Sequence, residues 1–256
     1  MASTSPLKSR PLRNPGESLD KEIESWVGET AMGYYVAAAS LCFLALMEWV
    51  GYLSHSPRRP ILFTVLAAIA LLAFIVRFSQ IRHRVKRLKL GRDGERCVGQ
   101  FLERLREDDA QIFHDVPADE FNLDHVIVSP NGVYVVETKT RAKPYADARV
   151  EVSGDQLRVA GWLPDRDPMV QVSSAARWLE NTLKESTGKT FDARPVVVFP
   201  GWFVEQSGPR GQVWVIEPTM LPAMIKQAGQ QLVMSDVKLV AFHLSRYIRT
   251  KVDKAA

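Results

Sequence analysis

Two long apolar segments lie close together near the N-terminus. Residues 31–53 contain one charged side chain, Glu48, and residues 60–76 contain none. At about 1.5 Å of rise per residue, the first segment crosses a hydrocarbon core of about 30 Å, and the second just does so with Phe78 added beyond Arg77. Because neither segment has a polar face, we expect residues 31–78 to form a transmembrane helical hairpin in a lipid bilayer rather than two buried helices of a soluble core.

The distribution of Lys and Arg predicts the orientation of this hairpin. The connecting turn, residues 54–59, has two such residues, the chain before the first segment has four, and residues 77–92 have seven. The positive-inside rule therefore places both termini, and the large C-terminal part of the chain, in the cytoplasm. A cleaved signal peptide fits poorly, since the first apolar segment begins about 30 residues into the chain and a second follows it.

The segments that flank the hairpin are polar. Residues 1–30 are rich in Pro, Ser and charge, which predicts a mostly disordered cytoplasmic tail with room for a short amphipathic turn near residues 22–27. Residues 79–90 read as a basic juxtamembrane linker. The basic residues near 82–92 fit contacts with anionic headgroups, and contact with nucleic acid is the alternative. Their position directly against an apolar segment favours the headgroups.

The positive charge of the chain belongs to its first third. Residues 1–90 hold 12 Lys or Arg and 6 Asp or Glu, whereas residues 91–256 hold 21 and 23, a net charge of −2. The overall charge of +4 is therefore no argument for a nucleic-acid-binding domain. Two cysteines exclude a disulfide scaffold and a four-cysteine zinc site, and no phosphate-binding loop, dinucleotide fingerprint or nucleophile elbow is present.

Residues 91–256 alternate between helical and strand patterns, which predicts a mixed α/β domain built on one central sheet. Tight turns at Pro130-Asn131-Gly132 and Gly154-Asp155 predict two hairpins. The expected helices are 91–107, 168–185, 218–228 and 235–251, and the expected strands are 110–116, 123–128, 133–138, 149–153, 156–160, 195–199 and 213–216.

Polar side chains converge on the open end of the first hairpin. Glu137 and Lys139 are two residues apart on one strand and share a face, and pairing about the turn brings Asp124 close to residues 138–140. Two carboxylates bind a hard divalent cation such as Mg²⁺ or Mn²⁺, which polarises a phosphodiester and lowers the pKa of a bound water. Lys139 can position that water or offset charge on phosphorus, and Glu95 can add a third carboxylate.

Each of these residues also has a structural interpretation. Glu137 and Lys139 can form an ordinary exposed pair on a strand, Asp124 and Glu95 can cap a turn and a helix, and Gln171 can cap a helix or face solvent. His125 should point to the opposite strand face from Asp124 and is not expected to be a ligand.

Four motifs in order resemble the nuclease-related domain (NERD) family of the PD-(D/E)xK restriction-endonuclease-like superfamily. They are Gly-x-x-Gly-Glu at 91–95, Asn-Leu-Asp-His-Val-Ile-Val at 122–128, Gly-Val-Tyr-Val-Val-Glu-Thr-Lys-Thr at 132–140 and Pro-x-x-Gln at 168–171. The resemblance covers about residues 91–200. It implies a restriction-endonuclease-like mixed sheet flanked by helices. Leu123 stands where the superfamily name has proline, which affects no expected ligand.

Residue by residue, the resemblance implies roles for five positions and two neighbours. Asp124, Glu137 and Glu95 match the acidic, metal-binding positions, Lys139 the catalytic lysine, and Gln171 the polar helix residue. With Lys139, the basic residues Arg141 and Lys143 are candidates for contact with a nucleic-acid backbone. We therefore expect a membrane-anchored Mg²⁺- or Mn²⁺-dependent nuclease acting on DNA or RNA. The alternative is a catalytically inactive domain that binds nucleic acid or protein.

Overall fold

The computed structural model describes residues 12–54, 59–146, 148–209 and 211–254. The helices, labelled in chain order, are α1 (Glu17–Ser25), α2 (Met32–Leu53), α3 (Pro60–Leu102), α4 (Pro168–Thr187), α5 (Leu221–Gln227) and α6 (Met234–Lys254). The strands are β1 (Gln111–Pro117), β2 (Asn122–Ser129), β3 (Gly132–Thr138), β4 (Arg149–Ser153), β5 (Gln156–Val159), β6 (Ala193–Val198), β7 (Phe203–Ser207) and β8 (Trp214–Ile216). Short helical turns at Trp26–Ala31, Glu103–Asp108 and Pro218–Met220 link some of them.

The chain divides into two units, Leu19–Leu90 and Gly91–Ala256 together with the N-terminal residues up to Ser18. In the first unit, α2 and α3 pack side by side. The indole N–H of Trp49 donates to the Thr64 hydroxyl at 2.9 Å, and the rings of Tyr35 and Phe74 meet edge to face. Both helices are long and apolar enough to cross a membrane, and only 11% and 6% of their most apolar windows are buried. That exposure is unlike the core helix of a soluble protein.

The flanking segments are more ordered than the sequence analysis expects. Within the tail, where only a short turn near residues 22–27 is expected, residues 17–25 form α1, and the helical path continues through Trp26–Ala31 into α2. Residues 79–90, expected to be a linker, are interior turns of α3, because their Leu, Lys, Arg and Gln are good helix formers and no proline interrupts them. The rest of the predicted tail, residues 1–11, and most of the predicted outside turn, residues 55–58, lie outside the described residues.

The larger unit contains a five-stranded sheet in the order β1-β2-β3-β6-β8. Strands β1, β2 and β3 are antiparallel neighbours, whereas β6 and β8 join in parallel to β3. The central strand β3 is buried along its whole length, which fits its run of Val and Tyr. Helices α4 and α6 share one apolar core with this sheet, and the end of α3 shares a second core with α5. The sheet is thus flanked by helices, as predicted.

The prediction of one central sheet is wrong in one respect. The hairpin of β4 and β5 belongs to a separate three-stranded sheet, in the order β5-β4-β7, and β4 pairs in parallel with β7. Strand β7 is not predicted from the sequence, because Phe203–Ser207 contains only two apolar residues and no residue of that strand is fully buried. Without a buried face, a short strand carries little periodic hydrophobic signal.

Candidate active site

The first hairpin brings Asp124 against the end of β3. Its strands pair from Ser129 opposite Gly132 to His125 opposite Val136, so Asp124 lies where that ladder ends. One carboxylate oxygen of Asp124 accepts a hydrogen bond of 2.7 Å from the backbone N–H of Thr138. The side chain therefore replaces a backbone partner at the strand end and is held in a fixed place.

Glu137, Lys139 and Gln171 form a closed triangle of hydrogen bonds. Lys139 Nζ donates to Glu137 Oε1 at 2.6 Å and to Gln171 Oε1 at 2.9 Å. Gln171 Nε2 donates to the same Glu137 Oε1 at 2.8 Å. Glu137 and Lys139, at the end of β3, thus both contact Gln171, which lies one turn into α4.

The backbone of this strand end is anchored as well. Lys139 N–H donates to the carbonyl of Val198 at 2.9 Å, which extends the pairing of β3 with β6 by one residue. Glu137 is 6% exposed, so its charge is almost fully removed from water. Glu137 is thus a buried carboxylate, and one of its oxygens accepts two hydrogen bonds. This does not fit the alternative interpretation of Glu137 and Lys139 as an ordinary exposed pair on a strand.

Glu95 reaches the same cluster from α3. The helix approaches the end of β3 so closely that a methyl group on Gly94 would lie 1.7 Å from the hydroxyl oxygen of Thr140, so only glycine fits there. The pKa of Glu95 is raised to about 8, first by burial and then by the charges of Asp115 and Glu137, against smaller opposing effects of the Gly16 N–H and Lys139. Glu95 is therefore a buried acid beside other acids, not a cap in open solvent.

The carboxyl groups of the cluster disfavour one another's charge. Burial raises the pKa of Asp124 well above its usual range, and the neighbouring charges of Glu137 and Glu95 add to that effect. Lys139 is the one cation that lowers both pKa values, together with backbone N–H groups. With three acids around one lysine, full ionisation of the cluster is unfavourable, and a divalent cation would stabilise the charged carboxylates.

The donor chemistry fits Mg²⁺ or Mn²⁺, although the ligands are not preassembled. Over the described part of the chain, no group of three or more His, Cys, Asp and Glu side chains is arranged to hold a metal ion. The hydrogen bonds to Thr138, Lys139 and Gln171 each engage one oxygen of a carboxylate. Asp124 and Glu137 therefore each keep a second oxygen for a cation, and ligation by all three acids requires their side chains to shift toward one another.

Asp115, which is not among the predicted site residues, anchors the N-terminal segment Leu12–Ser18 beside the site. Asp115 accepts hydrogen bonds from the Ser18 N–H at 2.9 Å and the Ser18 hydroxyl at 2.7 Å, and pairs with Arg13 at 3.2 Å. Its backbone has φ of 47°, where the ladder between β1 and β2 is interrupted. The signal in the sequence is an aspartate inside a predicted strand, since strands are depleted in Asp.

His125 lies away from the carboxylates, as its strand position predicts. Its Nδ1 is 2.9 Å from His114 Nδ1, and His114 Nε2 is 2.8 Å from Glu103. Burial lowers the pKa of both imidazoles. The pair is therefore neutral at physiological pH.

The two basic residues after Lys139 lie at the surface. Lys143 Nζ is 5.5 Å from the centre of the Trp202 ring, and the Trp202 indole N–H donates to the carbonyl of Arg141 at 3.2 Å. Both side chains are exposed. Trp202 thus holds this basic loop next to the carboxylate cluster.

Comparison with known proteins agrees with the motifs. The family model of the nuclease-related domain (NERD) matches residues 90–200, so this part of the chain is a nuclease-related domain. It contains all five expected site residues together with Arg141 and Lys143. No curated protein and no solved structure matches the chain.

Proposed function

We propose that the protein is a membrane-anchored, Mg²⁺- or Mn²⁺-dependent nuclease that hydrolyses phosphodiester bonds of DNA or RNA. One observation carries the proposal: five polar residues separated by up to 76 positions in the chain meet at one strand end of a nuclease-related domain. They are Glu95, Asp124, Glu137, Lys139 and Gln171. Strongly perturbed acids gathered around a lysine are typical of catalytic sites.

In this proposal Asp124, Glu137 and Glu95 hold the divalent cation, which supplies Lewis acidity and a bound water of lowered pKa. Lys139 touches the reacting phosphate, where it offsets negative charge that grows as the water attacks. Gln171 is a positioning residue, because its amide bridges Lys139 and Glu137 and fixes the ammonium group relative to the acids. Arg141 and Lys143 contact the polynucleotide backbone beside the site.

The membrane part of the proposal rests on the two apolar helices. Residues 31–78 anchor the chain in the bilayer, both termini and the nuclease-related domain face the cytoplasm, and the basic residues near 82–92 contact anionic headgroups. Within the helical unit, Arg84 pairs with Glu22 at 2.9 Å and lies over the Trp26 ring at 4.5 Å. Tryptophan and arginine together are typical of a membrane–water interface.

A second candidate is a nuclease-like domain that binds nucleic acid or protein without catalysis. The net charge of −2 over residues 91–256 favours its protein-binding form over a nuclease, because a polyanion is attracted weakly to such a domain. The two candidates differ in what the carboxylates do. Catalysis requires them, whereas binding should survive their loss.

The test is cleavage by the full chain in lipid nanodiscs, with single- and double-stranded DNA and RNA, over a titration of Mg²⁺ and Mn²⁺. We expect cleavage that needs the metal and disappears in Glu137→Gln. Glu151→Gln, a matched change at an exposed position of β4, should cleave like wild type. Absence of cleavage in wild type with every divalent ion, accompanied by binding that survives Glu137→Gln, would favour the binding module.

A further inference from the structure

A cavity of about 400 Å³ opens beside the carboxylate cluster. Its volume falls in the range of small-molecule sites, about 300–1,000 Å³. Two of its walls, Lys139 and Gln171, belong to the candidate active site, so the cavity adjoins the place where the phosphodiester is proposed to react. Its other polar lining residues are Arg141, Asp165 and Arg166, and Phe199 adds an aromatic ring to the lining.

The cavity is cationic although the domain is not. Lys139, Arg141 and Arg166 face a single acid, Asp165, whereas residues 91–256 as a whole have a net charge of −2. Among the described residues, neither arginine forms an ion pair. Two guanidinium groups offer planar pairs of N–H donors that match the oxygens of a phosphate. The cavity is therefore suited to a phosphate group next to the one that reacts.

Trp162 is an exposed aromatic residue in the chain segment that lines one side of the cavity. Trp162 is 79% exposed, and it lies in the chain between Val159 and Pro164, both of which line the cavity. Two backbone hydrogen bonds, of 2.8 and 3.1 Å, join Val159 and Trp162 in both directions. The two residues between them have positive φ, 51° at Ala160 and 81° at Gly161. This is the geometry of a tight hairpin turn, so the turn is rigid while its indole ring faces solvent.

We propose that this cavity and Trp162 form a subsite for one nucleotide of an unpaired strand. Arg141 and Arg166 bind the phosphate adjacent to the reacting one, and Trp162 stacks on a base. A base inside a duplex has no free face for such a ring, whereas a base of a single strand does. The subsite rests on the proposed nuclease function for its biological meaning, and it assigns that nuclease to single-stranded or frayed polynucleotide.

Binding without cleavage tests the subsite. The full chain in nanodiscs is titrated with a fluorescent 20-nucleotide oligothymidylate, its RNA counterpart and a 20-base-pair duplex, in EDTA and again in Ca²⁺, with probe integrity checked on a gel. We expect both single strands to bind at least tenfold more tightly than the duplex. Trp162→Ala and Arg166→Gln should each weaken single-strand binding about tenfold.

Salt dependence separates the two roles. Arg166→Gln should reduce the slope of log Kd against log salt by about 0.7, the value for one phosphate contact on a single strand, whereas Trp162→Ala should leave the slope unchanged. Phe242→Ala, at an aromatic residue of α6 that is 61% exposed, and Arg177→Gln, on an exposed face of α4, are the controls and should bind like wild type.

The outcomes distinguish this subsite from the nuclease function. If wild type cleaves but Trp162→Ala and Arg166→Gln bind like wild type, the subsite is wrong and the nuclease stands. If both changes weaken binding but wild type cleaves nothing, the nuclease is wrong and the subsite stands. Equal affinity for duplex and single strand, or no binding by wild type in either buffer, overturns the subsite.

Discussion

Asp124 and Thr138 are joined by a hydrogen bond of 2.7 Å, from the backbone N–H of Thr138 to a carboxylate oxygen of Asp124. At this end of the first hairpin, a side-chain oxygen accepts the hydrogen bond that a backbone carbonyl would ordinarily accept. It places the carboxylate next to Glu137 and Glu95, whose charges raise its pKa together with burial. A group in such surroundings costs stability when it is charged, so its position points to function rather than to folding.

The first prediction follows from that cost. Asp124→Asn keeps an oxygen that accepts from Thr138 and removes the buried charge, so we expect the metal-free protein to melt at the same or a higher temperature than wild type. Binding of Mn²⁺ should weaken at least tenfold and cleavage should disappear. Calorimetry and thermal melting of the full chain measure these effects, with Asp155→Asn, at the exposed turn after β4, as the control. Unchanged Mn²⁺ binding would show that Asp124 is not a ligand.

The second prediction concerns Lys139. Lys139→Ala removes a contact made mainly in the transition state, so the rate of cleavage should fall about 10²-fold or more with little change in Mn²⁺ or substrate affinity. That loss corresponds to roughly 2.7 kcal/mol. Lys139→Arg should rescue only part of the rate, because a planar guanidinium cannot donate to Glu137 and Gln171 as a point charge does.

Lys184→Ala, at an exposed position of α4, is the matched control and should cleave at the wild-type rate. Thermal melting must accompany both variants, since Lys139 also balances the charge of a buried glutamate. Wild-type rates in a folded Lys139→Ala protein would remove Lys139 from the mechanism, whatever the role of the carboxylates.

Much of the fold was predictable because its elements are locally encoded. Asn131 and Gly132 set the turn between β2 and β3, and the alternating strand geometry then puts Glu137 and Lys139 on one face. The helix signal for α4 is equally local, with Asp167 capping its first turn at 2.8 Å and Gly188 ending it at φ of 74°. The resemblance to a family added Gln171, which periodicity alone gives no reason to single out.

What the sequence analysis missed depends on contacts between distant segments. The hydrogen bonds of Asp115 to Ser18 span 97 positions, and no local pattern encodes a partner at that distance. The pairing of β4 with β7 is similar, since it joins Arg149 to Phe203 across the whole of α4. Such long-range pairings are decided by packing of the complete domain, which hydrophobic periodicity does not report.

The third prediction concerns orientation in the membrane. In a background with Cys42→Ala and Cys97→Ser, a cysteine introduced at Arg59 should react with an impermeant thiol reagent on intact cells, because that residue lies at the outer end of the proposed hairpin. Ser153→Cys, at an exposed position of β4, should react only after the cells are opened. Both native cysteines are exposed and must be replaced first. The reverse labelling pattern would place the nuclease-related domain outside.

The fourth prediction concerns the N-terminal segment Leu12–Ser18. Asp115→Asn removes the charge that holds Ser18 and Arg13 but tolerates the positive φ of 47° at this position, so the strand itself should persist. Hydrogen bonds to a charged group contribute about 1.5–3 kcal/mol, so we expect lower stability and faster hydrogen exchange of the segment. Ser18→Ala, which removes the hydroxyl but not the backbone N–H, should have a smaller effect. Equal exchange in Asp115→Asn and wild type would show that the segment is held by other contacts.

The fifth prediction concerns the pH dependence that Glu95 imposes. Its pKa is about 8 in the folded chain against 4.5 for an ordinary glutamate, so between these values the folded state keeps a proton that the unfolded state has lost. The stability of the metal-free protein should therefore fall as pH rises from about 5 to 8. Binding of Mn²⁺ requires the carboxylate, so its affinity should rise over pH 6 to 8 with release of a proton. Glu95→Gln should make both profiles shallower, with the remaining slope due to Asp124, as measured by thermal melting and by calorimetry in buffers of different ionisation enthalpy. Glu151→Gln should leave both profiles as in wild type, and a Glu95→Gln protein with unaltered profiles would contradict the role of Glu95 as the titrating ligand.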